Sequence, residues 1–173
     1  MASEAPGVLL RVESQTLHIF DLRRFKTKEV EIATPLPSEP AFFQMPGVLF
    51  VSGGEIGGQD AASAKAKISR GLSGVLLDGL CLDYAKMRGK RKSHSVTGDG
   101  PHLFASGGAD EAGQLEACEL FTLSYNKWEG LPELNQARSQ HGSCFFESSA
   151  ALYVFGGRAG SDEINLIERL QLG

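Results

Sequence analysis

An all-β fold, assembled from repeated four-stranded antiparallel units, is what this sequence predicts, and three observations predict it. Glycine makes up 21 of the 173 residues, about 12 %, against an ordinary share of about 7 %, and there is no Gly-X-Y period. So many glycines imply many turns, hence many short strands. Runs of apolar, β-branched or aromatic residues are separated by Gly, Asn, Asp and Ser, with little sustained helical period. Three double glycines each close such a run: Val48-Leu-Phe-Val-Ser-Gly53-Gly54, His102-Leu-Phe-Ala-Ser-Gly107-Gly108 and Leu152-Tyr-Val-Phe-Gly156-Gly157. Their separations, 107 − 53 = 54 and 156 − 107 = 49, fit a structural repeat of about 50 residues.

Taken in order, Leu17-His-Ile-Phe-Asp-Leu22 and Glu29-Val-Glu-Ile32 read as the last two strands of a first unit over about 8–40. The run ending at Gly53-Gly54 belongs to a second unit, 41–90. The third unit, 91–137, is the best patterned, with strands at about 93–97, 102–106, 116–123 and 127–130. Turns at Gly98-Asp-Gly100-Pro101 and Ser124-Tyr-Asn126 join them. A last unit starts at 138 and runs to 173. A paired glycine at a strand end lets neighbouring backbones approach and the chain take φ > 0. Trp128 is expected to cover the face of the next sheet.

The repeat carries more than glycine. Twelve residues beyond the first glycine of a pair stand Glu119 and Glu168, since 119 − 107 = 12 and 168 − 156 = 12. Upstream, Met87…Arg91-Lys-Ser-His94 precedes the second pair as Leu134…Arg138-Ser-Gln-His141 precedes the third. Together these residues resemble the kelch repeat, whose blades carry a double glycine after the second strand, a Glu and an aromatic in the third and a Trp in the fourth. The resemblance is closest from Met87 to Phe146, where Arg91, His94, Gly107, Gly108, Glu119, Phe121, Trp128, Leu131-Pro132, Arg138 and His141 fall at the family's positions. It implies an incomplete kelch-type β-propeller of four-stranded antiparallel blades. The first unit holds Thr27 or Lys28 at the Trp position. In the second, the expected Glu and aromatic positions hold Lys65 and Lys67, and 69–84 shows no Trp-bearing strand. That segment reads as a degenerate blade, an altered stretch of gene or an insertion.

Propellers close with typically four to eight blades, and at about 50 residues each this chain supplies about three and a half. The expectation is a segment of a longer kelch protein, or completion by a second copy or another chain, because open outer blades expose apolar faces.

Seventeen cations against twenty-one anions leave 17 − 21 = −4, which argues against an overall field that holds nucleic acid or anionic lipid. The run Arg88-Gly-Lys90-Arg91-Lys92 has two readings, a nuclear-import or nucleic-acid patch and a solvated, edge-protecting cluster, and the second is preferred because Arg91 already belongs to the repeat. Cys81, Cys118 and Cys144 imply neither a disulfide framework nor a zinc module and read as reduced core thiols. No membrane-spanning run and no secretory leader are read from the sequence, so the expected location is cytoplasmic.

No His-Glu-x-x-His, Gly-x-Ser-x-Gly or phosphate-loop pattern occurs, and Gly53-Gly-Glu-Ile-Gly-Gly58 fails the dinucleotide spacing. His94 and His141 recur at one repeat position and are read as parts of the unit's own hydrogen bonding. Some kelch-fold proteins are oxidases that hold copper with Tyr, His and a thioether-linked Cys. Tyr153 here sits at a strand position with no Tyr–Cys–His grouping, so neither catalysis nor a cofactor or metal is expected.

Recognition is assigned to the loops after the glycine pairs, because rigid sheets hold variable loops in fixed places. The candidates are Glu55, Gln59 and Asp60 in the first loop, Asp110, Glu111 and Gln114 in the second, and Arg158, Ser161 and Asp162 in the third. Acidic and amide groups among glycines suit a polar or basic peptide. The structural repeat set is Gly53, Gly54, Arg91, His94, Gly107, Gly108, Glu119, Trp128, Arg138, His141, Gly156, Gly157 and Glu168. The function expected is a non-catalytic protein-interaction module. Its alternatives are an enzyme on a kelch propeller, either a copper oxidase or a small-molecule lyase or isomerase, and a non-functional truncated remnant. The kelch resemblance implies cytoskeletal binding or recruitment of ubiquitin-ligase substrates, but no BTB or F-box adaptor is visible to assign either.

Overall fold

The computed structural model describes residues 8–13, 15–21, 25–32, 34–57, 67–76 and 78–172. Among them the protein is all-β, apart from two short 3-10 turns at Leu123–Tyr125 and Glu147–Ser149. Strands β1 (Val8–Glu13), β2 (Thr16–Asp21) and β3 (Lys26–Glu31) form an antiparallel sheet in that order. Next come β4 (Ala41–Met45), β5 (Val48–Ser52), the short pair β6 (Glu55–Ile56) and β7 (Lys67–Ile68), then β8 (Leu72–Leu76) and β9 (Cys81–Asp83). β4, β5, β8 and β9 make a second antiparallel sheet. The third comprises β10 (Ser95–Gly98), β11 (His102–Ser106), β12 (Cys118–Thr122) and β13 (Lys127–Leu131), close to the expected bounds. The last contains β14 (Gly142–Phe146), β15 (Ala151–Phe155) and β18 (Ile167–Gln171), with β16 (Arg158–Ala159) and β17 (Asp162–Glu163) paired beside it.

Local chemistry sets the turns. Met45 pairs with Val48, so Pro46-Gly47 is a two-residue turn in which proline presets φ and Gly47 takes φ +82°. After β10, the Asp99 carboxylate accepts from the His102 amide at 2.9 Å, the usual way an Asp side chain closes a turn. Asn126 takes φ +48° between β12 and β13, a conformation asparagine tolerates better than most residues.

One strand expectation needs correction. The first sheet has three strands rather than the tail of two, because β1 pairs with β2 from Val8↔Asp21 to Glu13↔Thr16. Residues 69–84, where no Trp-bearing strand is expected, carry β8 and β9, with β8 paired to β5, β9 paired to β8 and no tryptophan on either.

The core lies between sheets in three clusters. Strands buried on both faces send alternate residues to opposite sides. Leu49 and Val51 meet Leu17, Ile19 and Ile32 of the first sheet, while Phe50, on the other face of β5, joins Leu103, Phe121 and Trp128 of the third. From the third sheet Phe104 and Cys118 face Leu152, Val154 and Leu170 of the last. Trp128 therefore covers the preceding sheet, not the next, and its indole donates to the Ala85 carbonyl at 2.8 Å. The first strands β4, β10 and β14 lie side by side, tied where the Ser95 and Ser143 hydroxyls share a hydrogen bond at 2.7 Å. Ile167, Phe155 and Phe146 of the last sheet are exposed. No helix among the described residues is long and apolar enough to cross a membrane.

Candidate functional site

Each of the last two sheets is keyed to the chain before it by a buried ion pair. Arg91 and Glu119 are 1 % and 4 % exposed, and Arg91 Nη2 donates to Glu119 Oε1 at 2.6 Å. Arg91 Nη1 also donates to the carbonyls of Gly107 at 2.8 Å and Ala117 at 2.9 Å. Glu119 further accepts from the amides of Arg88 at 2.7 Å and Gly89 at 3.0 Å. The arrangement recurs one sheet later. Arg138 pairs with Glu168 and reaches the Gly156 carbonyl at 3.0 Å and the Leu166 carbonyl at 3.3 Å, and Glu168 accepts from the Asn135 amide at 2.6 Å. Both charges are matched and hydrogen-bonded, the condition on which buried ion pairs are tolerated.

The glycines and histidines form the seam. A Cβ on Gly107 would stand 2.6 Å from the Arg138 carbonyl oxygen and 2.7 Å from His141 Cε1, at φ +53°. Gly53 meets Arg91 and His94 in the same way. The Gly54 and Gly108 amides donate to the carbonyls of Arg91 (2.9 Å) and Arg138 (2.8 Å). His94 Nε2 shares a hydrogen bond with the Ser52 hydroxyl at 3.0 Å, as His141 Nε2 does with Ser106 at 3.0 Å. Burial first, then the neighbouring Arg91, hold His94 well below the usual histidine range. Burial, with Arg138, lowers His141 to about 4, so both rings are neutral at pH 7.

The second sheet lacks this hardware at matching positions. Register aligns Ser38, Lys92 and Ser139, which bridge to Glu55, Ala109 and Arg158 respectively, so Pro37 stands where Arg91 and Arg138 stand. Val51 pairs with Ser73 as Ala105 pairs with Glu119 and Val154 with Glu168. The glutamate position is therefore Ser73, 73 − 53 = 20 residues beyond the glycine, and not Lys65, which lies outside the described residues; Lys67 sits in β7. Val75 pairs with Cys81 as Phe121 pairs with Trp128, so Cys81 holds the tryptophan place.

The candidate loops occupy equivalent places. Glu55, Ala109 and Arg158, the first loop residues, exchange paired backbone hydrogen bonds of 2.7 to 3.0 Å with Ser38, Lys92 and Ser139. In the second loop the Asp110 carboxylate accepts from the Ala112 and Gly113 amides at 2.7 and 3.2 Å, and Gln114 bridges to Ala109. In the third, Arg158 donates to the Ser161 carbonyl at 2.9 Å, and Ser161, Asp162 and Arg158 are exposed. Gln59 and Asp60 lie outside the described residues.

Three of the glutamates here, Glu39, Glu55 and Glu111, are paired with lysines of the chain. Lys92 Nζ stands 2.9 Å from Glu55 and 3.4 Å from Glu39, and Lys90 Nζ stands 3.1 Å from Glu111. The hydrogen bond to Glu55 raises the Lys92 ammonium above its ordinary range, and the Ser93 hydroxyl, donating at 2.6 Å, lowers Glu39. Most of the basic run 88–92 is thus engaged in intramolecular contacts.

Sequence reasoning missed several partners. Ser52 and Ser106 directly precede the glycine pairs, a signal that was available. Glu39, Ser93 and Gln140 share φ of 52°, 52° and 56° and link successive units, the Ser93 amide to the Glu39 carbonyl and the Gln140 amide to the Ser93 carbonyl. Of the thiols only Cys118 is buried, and burial pushes it up to about 11; Cys81 and Cys144 are half-buried rather than core. Among the described residues no group of three or more His, Cys, Asp or Glu side chains is gathered as a metal site.

No protein-family model matches the chain, and no curated protein matches it.

Proposed function

We propose that the chain is an incomplete kelch-type β-propeller that acts as a non-catalytic protein-interaction module, presenting the loops after its glycine pairs to a protein partner. The observation that carries this reading is the threefold repetition of one loop anchor: Ser38 to Glu55, Lys92 to Ala109 and Ser139 to Arg158. It sets the first residue of each of three loops on equivalent sheet ends, the arrangement by which a rigid β scaffold displays recognition residues. The adjacency of β4, β10 and β14 supports blades set about a common axis. The exposed Ile167, Phe155 and Phe146 support completion of the ring by further blades or by a second copy.

A displayed peptide library selected on the intact chain tests the reading. A selected peptide should lose at least about tenfold in affinity, or about 1.4 kcal/mol, when Glu111, Gln114, Ser161 and Asp162 are replaced by alanine. A peptide that binds the loop variant as well as the parent chain contradicts it.

A further inference from the structure

The second sheet carries a cleft of about 320 Å³, and its walls include Pro37, Ser73 and Cys81, the three residues that stand where the other units place arginine, glutamate and tryptophan. The chain itself shows what fills this position elsewhere. In the third sheet one guanidinium nitrogen is held by the carbonyls of Gly107 and Ala117. In the last, the same nitrogen of Arg138 meets the carbonyls of Gly156 and Leu166. By register the corresponding residues here are Gly53 and Gly71, and both line the cleft.

The carboxylate has been kept but moved across one strand. Asp83 pairs with Ser73 as Gly130 pairs with Glu119, the Ser73 hydroxyl donates to Asp83 Oδ1 at 3.0 Å, and Asp83 lies on the wall of the cleft. An acid and two glycine carbonyls therefore remain, without the arginine that satisfies this set in the other units. We infer that the cleft is a binding site for a guanidinium group, the arginine side chain of a partner polypeptide, which enters where Arg91 and Arg138 lie in their own units. A planar donor fork suits a carboxylate flanked by carbonyls. The apolar wall formed by Leu36 and Val51 takes the methylene stem. Lys86 also lines the cleft, so one cation opposes one anion and hydrogen-bond geometry, not net charge, sets the preference for arginine over lysine. The inference stands apart from the loop reading: a chain whose loops bind nothing would still take the guanidinium.

The test is an amide-resolved NMR titration of the intact chain with N-acetyl-arginine methylamide, and with N-acetyl-lysine methylamide at equal ionic strength. The arginine probe should move the Gly53, Gly71 and Ser73 amides saturably, with a dissociation constant on the order of 1 mM. Asp83→Asn should weaken it about tenfold and Lys86→Gln should tighten it. The paired replacement Pro37→Arg with Ser73→Glu, which supplies the ion pair within the chain, should abolish it. No saturable movement at these amides in the parent chain, or an equal response to the lysine probe, overturns the inference whether or not any variant folds.

Discussion

Arg91 and Glu119 meet at 2.6 Å inside the seam between the second and third sheets, and neither side chain exposes more than 5 % of its surface. Removal of one partner leaves the other charged and dry, which typically costs 3–5 kcal/mol, whereas replacement of both by apolar groups costs much less. Glu119→Gln is therefore expected to lower the unfolding free energy by about 3 kcal/mol in urea titrations, and Arg91→Met combined with Glu119→Leu by less than either single change. In the second sheet Pro37 and Ser73 stand at these two positions, and the acid of that unit, Asp83, lies one strand away.

Glycine at the seam is required by contact as well as by conformation. Gly107→Ala adds a methyl group within 2.7 Å of both the Arg138 carbonyl and His141, whereas Gly47→Ala, also at positive φ, meets nothing within 4 Å. Gly47→Ala should cost about 1 kcal/mol from backbone strain alone. Gly107→Ala should cost at least about twice that, and thermal unfolding of the two variants side by side measures the difference.

Acid should loosen the seam through its histidines. His141 falls to about 4 in the fold from 6.5 in the open chain, so below pH 6.5 the unfolded state binds the proton first. The histidine contribution is complete above pH 6.5 and is lost as the pH drops towards 4. From His141 alone this amounts to about 3 kcal/mol, and His94 adds in the same direction. Urea unfolding between pH 7 and pH 4 should show this decline, and His141→Gln should flatten it.

The thiols should separate by reactivity. Cys118 is buried and pushed up to about 11, while Cys81 and Cys144 are half-buried. Iodoacetamide at pH 8, followed by peptide mass spectrometry, should label Cys81 and Cys144 before Cys118, and unfolding should remove the difference.

Much of the fold was legible because the repeat marks strand ends with glycine and pairs Arg91 with Glu119 and Arg138 with Glu168 at constant spacing. Fixed spacing failed in the second unit, where the route from Gly53 to the third strand is 20 − 12 = 8 residues longer than in its neighbours. Only the pairing of Val51 with Ser73 restores the equivalence. The side that Trp128 covers was hidden for another reason: runs such as Leu49-Phe-Val51 are apolar on both faces and do not say which face meets which sheet. Glu55 and Glu111, candidate recognition residues, also pair with Lys92 and Lys90, across 37 and 21 residues, a contact that local patterning does not encode.

The most direct measurement is a set of nuclear Overhauser contacts between the first strands of neighbouring sheets. Side-by-side packing of β4, β10 and β14 about a common axis predicts cross-peaks from the Phe43 ring to the Gly98 α-protons and from the Ser95 to the Ser143 β-protons, in keeping with a Cβ on Gly98 lying 3.1 Å from that ring and the 2.7 Å hydroxyl pair. Strong contacts within each sheet, with none between Phe43 and Gly98 or between Ser95 and Ser143, would contradict the proposed propeller arrangement and the proposed loop display that rests on it.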